Sequence, residues 1–178
     1  MEKNGERYKF IFVVETKSAK EDSDYVYIRK LFNDHYSIEG KGHKLLPIYC
    51  NGKGNITKKG KQITREINNY NGTKAFVLIC IDIDSLEKTD SRNKNKEIYD
   101  YCVKNKYNFV WFCYDTENVF LGKTINDDKP KTAKNFSNKG KITNEIISRM
   151  KKQTGDYDTA PNKTSNIITV IDSLGIKL

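Results

Sequence analysis

Apolar residues in this chain gather in short dense runs, separated by polar stretches that carry a helical period. Four runs have strand length: Tyr8-Lys9-Phe10-Ile11-Phe12-Val13-Val14, residues 44–50, Phe76-Val77-Leu78-Ile79-Cys80-Ile81, and Asn108-Phe109-Val110-Trp111-Phe112-Cys113-Tyr114. Runs this short and this continuous suit strands covered on both faces. Pro47 has no N–H to give a ladder, which places the second run at a sheet edge or a strand start. Between the runs, Tyr25, Ile28, Leu31, Phe32 and Tyr36 recur at helical spacing. Ile63, Ile67 and Tyr70 do the same in a helix of about 58–70, opened by the glycine-rich turn Asn51-Gly52-Lys53-Gly54-Asn55, and Ile98, Tyr101 and Cys102 in a helix before the fourth run. The alternation predicts an α/β fold: a mostly parallel, Rossmann-like four-stranded sheet flanked by helices, with right-handed crossovers. Ser85 to Lys94 reads as charged and exposed, and 123–139 has the composition of a loop. Helices near 141–153 and 164–174, the latter with Ile167 and Ile171 facing the sheet or a partner, form a C-terminal extension. A length of 178 residues suits one domain, with its core at about 8–121.

Acid follows three of the four runs. Glu15 ends the first, Asp82 and Asp84 the third, and Asp115-Thr116-Glu117-Asn118 the fourth. In open α/β sheets ligands bind beyond the carboxyl ends of the strands. Residues two apart on a strand share a face, with Cα atoms roughly 6.5 Å apart, so Asp82 and Asp84 are expected to approach one hard cation together. The plainer reading of each acid is a cap on the helix that follows.

The chain's basic excess, +9 at neutral pH, adds a polyanionic partner to that picture, since clustered Lys and Arg release counterions from phosphate backbones. Part of the excess reflects a general enrichment in Lys, Asn, Ile and Tyr. Position says more than total: Lys53, Lys58, Lys59, Lys61 and Arg65 fall in one turn and the start of its helix. Cys50, Cys80, Cys102 and Cys113 show no Cys-x-x-Cys spacing and read as packing residues. With only His35 and His43 there is no zinc pattern, and oxygen ligands point to Mg²⁺ or Mn²⁺. No run is long enough to span a bilayer and the first ten residues lack a leader's apolar core, so a cytoplasmic location without membrane contact is expected.

One Glu after the first strand and an Asp-x-Asp after a later one, each followed by a helix, resembles the Toprim domain. The Gly52-Lys53 turn after the second strand and Asp115-Thr116-Glu117-Asn118 after the fourth look like a narrower branch, the small Toprim nucleases of phage-defence systems, including OLD-type and RloB-like proteins and the Toprim partners of ABC-type defence ATPases. Thr16 stands where many Toprim sequences carry Gly. The resemblance covers about residues 8–121. It implies a Toprim-like fold, a metal-dependent nuclease cutting DNA or RNA in defence against phage or mobile elements, Glu15, Asp82, Asp84 and Glu117 as metal-holding and catalytic acids, and an activating ATPase as partner.

Metal-assisted hydrolysis would follow, with Glu15 as ligand or general base and Lys53 as a phosphate contact. Several rivals are weighed against it. A Walker A loop fails, because Gly54 to Gly60 is one residue too long and Gln62 stands where the hydroxyl belongs. A haloacid-dehalogenase-like phosphatase carries its Asp-x-Asp on the first strand rather than the third. A metal-dependent glycosyltransferase has little room for both its sites in 178 residues; it and the phosphatase stay as minor alternatives. A non-catalytic module binding nucleic acid or protein is the main alternative, with Tyr70, Tyr99, Tyr101, Tyr107 and Tyr157 as stacking surfaces and Trp111 in the core.

Overall fold

A computed structural model describes residues 6–38, 41–72, 74–84 and 87–176. Residues 1–5, half of the stretch read for a leader, lie outside it, as do Ser85 and Leu86 of the segment read as exposed. The four apolar runs are strands: β1 (Tyr8–Val14), β2 (Lys44–Tyr49), β3 (Lys74–Asp82) and β4 (Asn108–Phe112). They form one all-parallel sheet in the order β2-β1-β3-β4. Pro47 lies on an edge strand, as its missing donor requires.

Period-two alternation divides the strands' side chains between two cores. Phe10, Phe12, Val14, Leu78, Cys80, Val110 and Phe112 face one side. There they meet α1 (Asp24–Tyr36) through Tyr27, Ile28, Leu31 and Phe32. Ile11, Val13, Ile79, Ile81, Phe109 and Trp111 face the other, against α2 (Gly60–Asn68) and α3 (Thr89–Asn105) through Ile63, Ile98 and Cys102. Each such fully buried aliphatic or aromatic side chain contributes about 1.5–3 kcal/mol. The four cysteines are free and buried, packing residues as expected.

Three boundaries differ from the sequence reading. The helix expected at 58–70 is a 3-10 turn, Lys53–Lys59, running into α2. The segment 123–139 is not all loop: α5 (Lys129–Lys139) follows the short α4 (Thr116–Leu121). Only Ala133 of α5 is buried, so it shows little apolar period. It is specified instead by Asp128, whose side chain accepts from Lys131 N–H, and by Pro130 in the first turn. The helix near 141–153 contracts to α6 (Asn144–Arg149).

The last helix, α7 (Ile167–Ser173), packs on the sheet with Ile167 and Ile171 buried. Just before it, Asn166 Oδ1 accepts from Trp111 N–H at 2.9 Å and its Nδ2 donates to the Phe109 carbonyl at 2.8 Å. Together with Cys113 N–H donating to the Thr164 carbonyl at 2.8 Å, this side chain closes the open edge of β4. No described helix is long and apolar enough to cross a membrane.

Candidate functional site

The strand order reverses between β1 and β3, because β1 leads outward to β2 while β3 and β4 lie on its other side. Such a switch point opens a crevice at the carboxyl ends of the strands. Glu15 follows β1 there and Asp82 ends β3. Asp82 N–H donates to Glu15 Oε1 at 2.9 Å.

The turn after β2 brings a cation to this crevice. Gly52 has φ of +100°, a conformation that L side chains rarely adopt, and its N–H reaches the Glu15 carbonyl at 2.7 Å. With Cys50 N–H on the Val14 carbonyl and Asn51 N–H on the Thr16 carbonyl, the turn is laced to the end of β1, and Lys53 is carried across. Its ammonium donates to Asp84 Oδ2 at 2.6 Å, to Asn95 Oδ1 at 3.1 Å and to the Asp82 carbonyl, and stands 4.0 Å from Glu15 Oε1. Asn95, fully buried on α3, also donates to the Ile83 carbonyl at 3.1 Å. Lys53 is thus held among acids. Lys58, Lys61 and Arg65 are exposed on the same turn and helix, with Lys59 between them half-buried. Arg65 lies 3.5 Å from Glu66.

Asp84 departs from the expectation of a shared face with Asp82. Strand β3 stops at Asp82, and Asp84, at φ +53°, bends into a bridge with Tyr114. The two-residue period does not extend past the strand end, so Asp84 turns outward to Lys53 and remains 55% exposed.

Beyond β4, Asp115 caps α4 by accepting from Asn118 N–H at 2.8 Å. It also receives Lys129 of α5 at 3.1 Å, and the same ammonium reaches Glu117 Oε2 at 3.0 Å. The capping reading therefore holds for Asp115. Glu117 is wholly buried, and its Oε1 has no hydrogen-bond partner. Thr116 Oγ1 donates to Asp82 Oδ1 at 3.1 Å.

A pocket of about 470 Å³ opens among Glu15, Thr16, Asp24, Gly52, Asp82 and Lys129. Asp24, from the first turn of α1, is the acid that pattern reading missed; in sequence it is one more polar residue at a helix start. Lys129 and Asn95 were equally silent, since each acts through a contact distant in the chain. Tyr99 and Tyr157, read as stacking surfaces, pair with each other and with Phe109, and Tyr101 pairs with Tyr107. A larger hollow of about 550 Å³ between α1 and β2 contains Asp22, but that acid is already engaged by Tyr49 Oη at 2.8 Å and Tyr25 N–H at 3.0 Å.

Charge dominates the crevice. Burial pushes Glu15 up to about 7 against the pull of Lys53 and the Asp82 N–H. Burial, then Glu117, pushes Asp24 up to about 7. Asp82 rises well above the usual range through burial and then the fields of Asp24, Glu15, Glu117 and Asp115. Six carboxyl groups (Glu15, Asp24, Asp82, Asp84, Asp115, Glu117) thus face two ammonium groups (Lys53, Lys129). Among the described residues no three His, Cys, Asp or Glu side chains are already drawn together as a metal cage. The donor set nevertheless fits a hard divalent cation: all-oxygen, over-charged, and with one buried carboxylate oxygen lacking a partner. No protein-family model, no curated protein and no solved structure matches this chain.

Proposed function

We propose that the chain is a Mg²⁺- or Mn²⁺-dependent phosphodiester hydrolase acting on nucleic acid, with a Toprim-like arrangement of acids. The observation that carries this reading is the excess of buried carboxyl groups over cations at the switch point, where the Asp82 N–H meets Glu15 and Asp24 lines the same pocket. Glu15, Asp82 and Asp24 would hold the cation, with Asp84 and Glu117 beside them. When bound, the cation supplies Lewis acidity and lowers the pKa of water.

The protein's own groups divide the remaining work. Thr116 and the Asp82 N–H fix the orientations of Asp82 and Glu15. Where Asp82 and Asp24 alone hold the cation, Glu15, with a pKa near neutrality, suits proton removal at physiological pH instead of ligation. Lys53 neutralises Asp84 and holds the strand-end carbonyl, while Lys58, Lys59 and Lys61 offer charge to a phosphate backbone.

A second reading has its own support. Lys53 and Lys129 pair with Asp84, Asp115 and Glu117, as they would in a non-catalytic binding module whose acids are structural. Cleavage of single- and double-stranded DNA and RNA with Mg²⁺, Mn²⁺ or EDTA separates the two, using the wild type and Asp82→Ala prepared identically. Metal-dependent cutting by the wild type, abolished in the variant, is expected. Wild-type protein that neither cuts nor binds divalent metal would establish the module.

A further inference from the structure

Tyr114 lies in the link from β4 to α4, its backbone bridged to Asp84 and with Asp115 next to it in the chain. Of the described large hydrophobic side chains, Val103 and Tyr114 are the exposed ones. Val103 lies near the C-terminal end of α3, where a single exposed apolar residue is ordinary. Tyr114 is not so placed. Its φ is +63°, the left-handed region that costs an L-residue roughly 1–2 kcal/mol and a glycine almost nothing. The ring is no core residue, since Tyr114 is 42% exposed. An aromatic held in a costly conformation and left partly exposed is the pattern of a position kept for what its side chain presents.

The backbone fixes where the residue sits. Asp84 N–H donates to the Tyr114 carbonyl at 3.3 Å, and the two residues form an isolated bridge. Asp84 is in turn bound to Lys53, the first residue of the turn that carries Lys58 and Lys59. On its other side, Asp115 follows directly and is tied to Lys129. One partly exposed aromatic residue therefore stands next to Asp84 and Asp115, with cations spaced along the turn that Asp84 binds. Stacking platforms flanked by Lys suit single strands, whose bases are free to leave their neighbours. A duplex hides those faces.

We infer that Tyr114 is a stacking platform for an unpaired nucleobase next to the phosphate held at the crevice, making the preferred substrate single-stranded nucleic acid. This rests on the phosphodiester-hydrolase reading and adds to it a strand preference and a recognition residue.

Fluorescence anisotropy of a labelled single-stranded oligodeoxynucleotide, its RNA counterpart and the matching duplex tests this, with Ca²⁺ replacing Mg²⁺ to hold back cleavage. The full chain is compared with Tyr114→Ala, Tyr114→Gly, Tyr114→Phe and Tyr114→Trp. Single strands are expected to bind the wild type more tightly than duplex. Ala and Gly should weaken that binding about 5- to 140-fold, the range of one lost base stack, while Phe and Trp retain it. A 2-aminopurine base in the strand should be quenched by the wild type and not by Tyr114→Ala. Because Gly relieves the positive φ, its loss of binding should come with no loss in melting temperature. Equal binding by wild type and Tyr114→Ala, a Phe variant as weak as Ala, or a preference for duplex would overturn the inference and leave the hydrolase reading standing. A wild type that binds no nucleic acid would overturn both.

Discussion

Asp24 stands in the first turn of α1 and is 8% exposed, with Ser23 Oγ on its Oδ1 at 3.2 Å and the acids of the crevice around it. A buried carboxylate among like charges destabilises the fold whenever it is ionised. Stabilising changes at functional sites commonly remove function. Asp24→Asn keeps the shape and an oxygen for Ser23 while deleting the charge. In EDTA at pH 7.5 the variant is expected to melt several degrees above the wild type, and to gain less from added Mn²⁺. Parallel thermal melts with and without Mn²⁺ check both; an Asn variant that melts lower in EDTA would show that the charge is compensated in a way these contacts do not reveal. Sequence had no means of nominating this residue, because its neighbours belong to β3 and α4. Glu15 and Asp82 were legible because each directly follows or ends an unmistakable apolar strand. Lys53 was found by its glycine neighbours, but its partners were not: a phosphate contact was expected, and the ammonium lies on Asp84, Asn95 and a carbonyl.

At the scale of elements, all four strands and the helices between them could be read from apolar runs and helical periods, since both faces of the sheet are covered and its strands are continuously apolar. Helix α5 could not. It has one buried residue, Ala133, and packs Phe136 near Tyr27 and Phe120. Its anchorage is ionic at its N-terminal end, where Lys129 bridges Asp115 and the wholly buried Glu117. Removing one partner of a buried pair leaves the other charged and unsolvated, a cost of about 3–5 kcal/mol for complete burial. Lys129 is 38% exposed, so Lys129→Ala is expected to cost less, about 2 kcal/mol. Adding Glu117→Gln to that variant should restore part of it, because the stranded charge is then gone. Urea unfolding of the wild type, Lys129→Ala, Glu117→Gln and the double variant measures the coupling; additive losses would mean that Lys129 and Glu117 do not stabilise α5 as a pair.

Over the whole molecule, the buried acids set how stability changes with pH. Glu15 and Asp24 are pushed up to about 7 and Asp82 is also raised, with burial the largest cause for each, whereas in the unfolded chain such groups titrate near 4. Between about pH 4 and 7 the folded state therefore holds more protons than the unfolded one, and stability must fall as pH rises through that window. His43, lowered by burial, acts with the opposite sign there, one group against four once Asp22, also raised by burial, is included. Glu66, held low by Lys9, loses its contribution only as pH drops below the carboxylate range, where self-repulsion of the basic chain also grows. The melting temperature in EDTA is thus expected to decline from pH 5 to pH 8. A divalent cation binds the ionised carboxylates and stabilises by RT ln(1 + [L]/Kd). Its effect should be small at pH 5 and largest at pH 8, with protons released on binding near pH 6.5. Thermal melts across this range, with and without Mn²⁺, and calorimetric titration in buffers of different ionisation enthalpy give the two readouts. A melting temperature that climbs from pH 5 to 8 in EDTA would mean that the charges of these acids are already offset in the folded protein, and the unmet demand for a cation on which the site rests would be gone.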